Sequence, residues 1–398
     1  MLSEADTCRK FVVPALQAAG WDTAPHEIAE QRTFTDGRVI PMGPGAKRRK
    51  GKRADYLLRF TPDLVLAVVE AKAAYKHPAD GLQQAKDYAA TLGLRFAYAT
   101  NGHAILEADL VTGAEREVAQ FPTPDELWTR MSLKRPVADR LLAPTYPTPG
   151  RRLRYYQEIA INRAVSVIAE GRDRALLTLA TGTGKTTVAF QICWKLWTAK
   201  WNRKGEARPP RILYLADRNI LIDQPLTKEF SAFERAAIKI EGGNAPKSRE
   251  MYFAIYQAIA DRDGRPGLYR QFSPDFFDLV IVDECHRGSA NADGDWRAIL
   301  DYFTGAAKLG MTATPLREDN RQTYLYFGNP LYTYSLRQGI DDGFLAPYRV
   351  HRIITTWDAA GWRPSTEDKD RFGRDIPDDE YHTKDFERII SLRARTNA

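Results

Sequence analysis

The sequence predicts two α/β domains in tandem, the second built on a doubly wound parallel sheet. Three observations predict it. Apolar runs of strand length, Leu176–Leu179, Arg211–Ala216, Met251–Ile255, Leu279–Val282 and Lys308–Met311, alternate with helical stretches, the pattern of a parallel sheet covered by helices on both faces. The first of these runs enters a tight turn, Thr181-Gly182-Thr183-Gly184, just ahead of Lys185-Thr186, and another ends on Asp283-Glu284. Upstream, Tyr56–Phe60 and Leu64–Glu70 read as a separate hairpin, and Pro136, Pro144, Pro147, Pro149 and Gly150 divide the two regions.

The 398 residues suffice for two or three domains that each bury a core. An excess of 58 Lys+Arg over 51 Asp+Glu, a net charge of +7, suits a polyanionic partner. Cys8, Cys193 and Cys285 are widely spaced and match no metal pattern, which points to a reducing, cytoplasmic setting. No apolar run approaches the length of a membrane span, and the N-terminus lacks the charge and apolar order of a signal peptide, so no membrane partner is expected.

In chain order, Ser3–Ala19 predicts a capped amphipathic helix with Phe11, Ala15 and Ala18 on one stripe and Gly20 as its stop. A basic loop follows, with six charges in the seven residues Lys47–Arg53; it could grip a phosphate backbone or simply be solvated. In the hairpin, a turn centred near residue 62 sets Asp55 opposite Glu70, and strand alternation points Glu70 and Lys72 to one face. Two carboxylates and an amine at one end of a hairpin are what phosphodiester hydrolysis needs: hard oxygens for Mg²⁺, and an amine to orient or deprotonate the nucleophile. Gln84 and Tyr88, four apart on a predicted helix over Leu82–Leu92, share a face. Leu94–Ala99 predicts another strand, and Asn101-Gly102 a turn.

Past the proline-rich stretch, the Thr181–Thr186 turn is a phosphate-binding loop. Its small residues let backbone N–H groups converge, the helix after Gly184 adds its dipole, Lys185 reaches terminal phosphates and Thr186 ligates Mg²⁺. Leu179 stands where the strict pattern has Gly, so the loop is a variant. Trp194, Trp197 and Trp201, at helical spacing, predict packing rather than a base-stacking platform. Leu279–Val282 delivers Asp283 to Mg²⁺ and Glu284 to the attacking water, and Thr312 and Thr314, at the end of the Lys308–Met311 strand, stand where the γ-phosphate can be sensed.

Asp55, Glu70-Ala71-Lys72 and Gln84 through Tyr88 together resemble the PD-(D/E)xK nucleases, in particular the RecB-like branch, which implies a support role for Gln84 and Tyr88 and an added acid from the first helix, here Glu4. Ala180–Thr186, Asp283-Glu284-Cys285-His286 and Thr312-Ala313-Thr314-Pro315 resemble motifs I, II and III of superfamily 2 helicases; that resemblance makes Gln157 an adenine reader, puts His286 in the ATP site, and matches Asp217-Arg218 and Tyr256-Gln257 to DNA-contacting motifs, with Arg218 and Gln257 as the contacts. The whole chain resembles the N-terminal part of the motor (R) subunit of type I restriction enzymes. The resemblance implies a nuclease domain over 1–135, a linker over 136–150, a first RecA-like lobe over 151–330, and over 331–398 a bridge and the start of a second lobe, so that the chain looks truncated. It also implies ATP and Mg²⁺ as cofactors, and double-stranded DNA with methyltransferase and specificity subunits as partners. A free-standing repair or defence helicase-nuclease, and an ATP-switched DNA-binding module with an inactive nuclease, are the alternative readings; gene neighbourhood separates the first and a Lys72 substitution the second.

Overall fold

The computed structural model describes residues 3–42, 45–148, 152–241, 243, 246–261, 265–285, 293–314, 321–348 and 363. The chain divides into two compact units, Met1–Ala346 and Pro347–Ala398. The predicted acidic segment 367–380 and C-terminal helix over 385–398 lie outside the described residues. Among the described residues no helix is long and apolar enough to cross a membrane.

The first unit opens on Glu4–Thr7, capped by Ser3 in a reciprocal Ser3/Asp6 box, and runs through a π-helical stretch, Cys8–Val12, into Val13–Ala18. Pro14, which has no N–H to give the preceding turn, falls just after the π stretch. A six-stranded sheet follows, built from β1 (Glu27–Thr33), β4 (Arg53–Thr61), β5 (Leu64–Ala71), β6 (Phe96–Thr100), β7 (Ile105–Asp109) and β8 (Glu115–Val118), in that spatial order. The β4–β5 pair is antiparallel with Tyr56 opposite Val69, the register that the hairpin arithmetic required. Only β5 and β6 run parallel, and the crossover between them is the helix α1 (Ala79–Leu92).

The basic loop differs from expectation. Val39–Met42 (β2) and Gly45–Arg48 (β3) pair as their own antiparallel hairpin, so Lys47 and Arg48 lie on a strand, held there by main-chain pairing that a run of charges does not reveal. The proline-rich stretch also carries more order than its composition suggests: Arg135–Leu141 is a helix (α2), because Pro136 falls in the first turn, where a missing N–H leaves no bond unmade.

The second sheet has seven strands, all parallel, in the order β11 (Ala237–Lys239), β12 (Met251–Ile255), β10 (Ile212–Ala216), β13 (Leu279–Val282), β14 (Ala307–Thr312), β9 (Arg174–Leu179) and β15 (Tyr332–Tyr334). Alternation decides the faces. Ile212, Tyr214 and Ala216 join one core, whereas Leu213 and Leu215 join the other. The first of these cores extends beyond the second sheet: it joins Leu57, Val68, Leu82 and Ala89 of the N-terminal sheet and α1 to Tyr155, Ile159 and Ala160 of the helix α3 (Tyr155–Ala169), so the two sheets share one apolar interior. A third core, around Trp21, Leu58, Leu66 and Tyr98, fills the other face of the N-terminal sheet.

Because β13, β14 and β9 are neighbours, the turns that follow them open along one edge of the sheet, where open α/β sheets bind ligands. Packing at this edge is tight. A Cβ on Gly310 in β14 would stand 2.9 Å from the Phe327 ring. We expect Gly310→Ala to lower unfolding free energy by about 1–3 kcal/mol, checked by chemical denaturation.

Candidate functional site

Two constellations occupy the first unit. In the N-terminal sheet, Asp55 and Glu70 come from adjacent antiparallel strands, and Lys72 follows β5 with its N–H donating to the Thr100 carbonyl. Asp55 Oδ2 accepts from the Ala71 N–H at 2.9 Å, which pins that carboxylate across the strand pair. Lys72 Nζ stands 4.0 Å from Glu70 Oε2 and donates to Gln84 Oε1 at 3.1 Å, while Gln84 Nε2 donates to the Tyr88 hydroxyl at 3.2 Å. Gln84 and Tyr88 therefore hold the lysine from one face of α1, as helical spacing predicted. Gly81 on the same helix makes room for it, since a Cβ there would lie 3.0 Å from Lys72 Cε.

Glu70 is the tense member. Its side chain is 2% exposed, its Oε1 is buried without a hydrogen-bond partner, and burial, reinforced by the Asp55 charge, pushes its carboxyl up to about 8 against the pull of Lys72. A hard divalent cation fits such a pair: it would supply the positive charge that two facing carboxylates lack and occupy the orphaned oxygen. Glu4 is not gathered with them; it is exposed in the first helical turn, and among the described residues no group of three or more His, Cys, Asp or Glu stands close enough to hold a metal. The helix that carries Glu4 does dock nearby, through the Ala74 N–H that donates to Thr7 Oγ1 at 3.0 Å.

On the second sheet, Thr181 and Gly182 are exposed and Thr183 is buried with its hydroxyl on the Ala180 carbonyl. Gly184 takes φ +84°, the left-handed conformation that starts the helix α4 (Lys185–Thr198), with Lys185 and Thr186 in its first turn. Lys185 Nζ lies 3.1 Å from Glu284 Oε1, so the loop lysine and the second acid of the pair meet across the sheet edge. Asp283 is buried; its Oδ2 accepts from the Tyr214 hydroxyl at 2.8 Å and its Oδ1 from the Glu284 N–H at 3.0 Å. Burial raises its carboxyl above the ordinary range even though that hydroxyl favours the anion. Glu284 holds φ +50°, a strained conformation for a residue with a side chain, at the point where the chain leaves β13.

Thr312 and Thr314 hydroxyls lie 3.1 Å apart at the end of β14, and the Tyr324 hydroxyl lies within 3.4 Å of both Thr178 Oγ1 and the Thr314 carbonyl. Gln157 is buried beneath the loop: its Nε2 donates to the Thr183 carbonyl at 2.9 Å and its Oε1 accepts from the Arg154 N–H. Arg218 is two-thirds exposed beside Asp217, whereas Gln257, in the short helix Tyr256–Ile259 after β12, has a buried Oε1. His286 lies outside the described residues. Trp194 and Trp197 pack against Phe233, as the spacing predicted. Sequence reasoning missed Tyr214 and Tyr156, the second of which donates its hydroxyl to Thr183 O at 2.9 Å; Tyr214 sits in an apolar run where nothing distinguishes it from a core aromatic, and Tyr156 opens a helix beside Tyr155 with no motif of its own.

Residues 151–317 match the family described as type III restriction enzyme, res subunit. The chain is 42% identical over 99% of its length to the endonuclease subunit of the type I restriction enzyme EcoAI from Escherichia coli, of which it spans 49%. It is 27% identical, over 74% of its length, to the EcoKI endonuclease subunit of Escherichia coli K12, of which it spans 26%. A solved fragment assigned to an HsdR subunit of a type I restriction enzyme from Vibrio vulnificus YJ016 superposes with a TM-score of 0.80 at 57% identity, covering 90% of this chain and 64% of that one. The resemblance read from the motifs, and the fold class it implied, both hold.

The state of Glu70 generates a prediction. Between its ordinary value near 4.5 and about 8, the folded chain keeps a proton that the unfolded chain has released, so stability falls as pH rises through that window. In chelator, Glu70→Gln should therefore gain in unfolding temperature over the unsubstituted chain as pH goes from 5 to 8.5. Added Mg²⁺ at the upper pH should raise the unfolding temperature of the unsubstituted chain and not that of the variant. Thermal unfolding followed by circular dichroism reads both arms.

Proposed function

We propose that this chain is the cleaving and pumping half of a type I restriction endonuclease subunit, the family that its sequence resembles along nearly its whole length. Its activity would be ATP-dependent translocation along duplex DNA coupled to Mg²⁺-dependent cutting of unmodified DNA, with target recognition and modification left to specificity and methyltransferase subunits. We divide it into a nuclease domain (1–135), a linker (136–150), a first RecA-like lobe (151–330) and a bridge leading to a second lobe (331–398). The observation that carries the reading is that one compact unit holds both a nuclease-type cluster, Asp55, Glu70, Lys72, Gln84 and Tyr88, and a phosphate loop whose lysine meets Glu284.

Each residue has a task in that scheme. The loop N–H groups and Lys185 bind the terminal phosphates of ATP, and Glu284, released from Lys185 by their arrival, orients and deprotonates the attacking water. Thr312 and Thr314 sense the γ-phosphate side, Gln157 acts from beneath the loop, and Arg218 and Gln257 meet the DNA. In the nuclease domain Lys72, aimed by Gln84, orients the hydrolytic water toward the scissile phosphate, and Asp55 with Glu70 fixes its approach. Mg²⁺ held by Asp55 and Glu70, and again by Thr186 and Asp283, would supply Lewis-acid polarisation of phosphate oxygens.

Reconstitution of the full-length subunit with its partner subunits on unmodified plasmid tests the assignment. Lys72→Ala should abolish cleavage, by roughly a thousandfold or more, while ATP hydrolysis continues. Lys185→Ala should abolish both. Cleavage that survives Lys72→Ala would overturn the nuclease assignment, and ATP turnover that survives Lys185→Ala would overturn the motor assignment.

A further inference from the structure

We propose that Asp342 is a positioning residue for the nucleotide site, and that it ties the phosphate loop to the basic β2–β3 hairpin of the N-terminal domain. The proposal rests on the reading of Thr181–Thr186 as a nucleotide site.

Asp342 caps the helix α5 (Leu336–Asp341), and its side chain is buried. Two hydroxyls share one of its oxygens: Tyr334 donates to Oδ2 at 2.6 Å, and Tyr155 donates to the same atom. A buried carboxylate that accepts two O–H donors is a strong, directional anchor. The Tyr334 ring lies flat on that of Tyr156, with centroids 3.9 Å apart and planes 10° from parallel. Tyr156 in turn donates its hydroxyl to the Thr183 carbonyl, which also receives the Gln157 amide. In a trans peptide the carbonyl and the following N–H point in opposite directions, so fixing Thr183 O toward the two side chains fixes the Gly184 N–H away from them. That N–H is one of the donors a phosphate loop presents. Asp342 thus sets the loop through two tyrosines.

Its main chain faces the other way. The Asp342 carbonyl accepts from the Gly37 N–H at 2.8 Å, Arg38 pairs with Asp341 at 3.0 Å, and Arg48 Nη1 donates to both the Gly343 and the Gly37 carbonyls at 3.2 Å. The approach is so close that a Cβ on Gly343 would stand 2.1 Å from the Gly37 oxygen. A shift of the hairpin therefore moves the residue that anchors Tyr334 and Tyr155. One charge of the basic run, Arg48, is committed to this seam, while Lys47, Arg49 and Lys50 stay exposed.

The test is equilibrium binding of a fluorescent ADP with Mg²⁺ to the full chain, with unfolding temperature as the folding control. Tyr156→Phe and Tyr334→Phe keep the ring stack and remove one hydroxyl each; with Asp342→Asn, each should weaken nucleotide binding by about tenfold. Arg38→Ala combined with Arg48→Ala, remote from the nucleotide, should weaken it by about threefold. Hydrogen exchange over residues 36–49 should slow with ADP in the unsubstituted chain and not in Tyr156→Phe, a response that loss of general stability does not produce. Unchanged affinity in the tyrosine and Asp342 variants, with binding lost in Lys185→Ala, would overturn the relay and leave the nucleotide site standing. Unchanged affinity in the double arginine variant would overturn the tie to the hairpin. Full binding by Lys185→Ala would instead overturn the nucleotide reading beneath the proposal.

Discussion

A carboxylate taken out of water is costly unless positive charge or hydrogen bonds meet it, and the structure depends on two that are held in that condition, Glu70 and Asp283. Each sits at the end of an apolar strand and is almost wholly buried. Glu70 has Asp55 across the strand pair and Lys72 only at 4.0 Å; Asp283 has the Tyr214 hydroxyl and its own neighbour's N–H. The strands can bear this because their interiors are closed: Ala67, Val68 and Val69 before Glu70, and Leu279 to Val282 before Asp283, are essentially fully buried. Packing supplies the stability that burying the two acids consumes, and both end where a cation is worth most.

The parts that support these acids are unevenly distributed. Around Glu70 they are side chains of a single helix, Gln84 and Tyr88, plus a glycine that makes room. Around Asp283 they come from separate strands and turns, with Tyr214 from β10 and Lys185 coming in beside Glu284 from α4. The first arrangement is local in sequence and the second is not.

That difference explains what could be read in advance. The hairpin, the opposition of Asp55 and Glu70, and the shared face of Gln84 and Tyr88 follow from two short-range periodicities, and all three appear in the structure. The Thr181–Thr186 turn carries its own signal in glycines and a lysine. Tyr214, Tyr156 and Asp342 do not: each is chosen by a partner far away in the chain, and an aromatic inside an apolar run, as Tyr214 is, looks like core until its hydroxyl is seen to be spent. The α2 helix hid behind prolines, because composition registers how many there are and not that one stands in a first turn. β15 hid for another reason: Tyr332–Tyr334 adds to the edge of the sheet only through pairing with β9, more than 150 residues away by the register that joins Tyr332 to Leu177.

The continuous apolar interior that runs from Leu57 and Val68 through α1 to Tyr155 and Ile159 has an evolutionary corollary. Modules that meet through polar, wet seams can be exchanged by recombination with little harm. Here a crossover in the proline stretch would graft one half onto a stranger's greasy face, leaving unmatched hollows and clashes on both sides. Lineages that inherit one half must then inherit the other with it, and the two are expected to drift in concert rather than be traded.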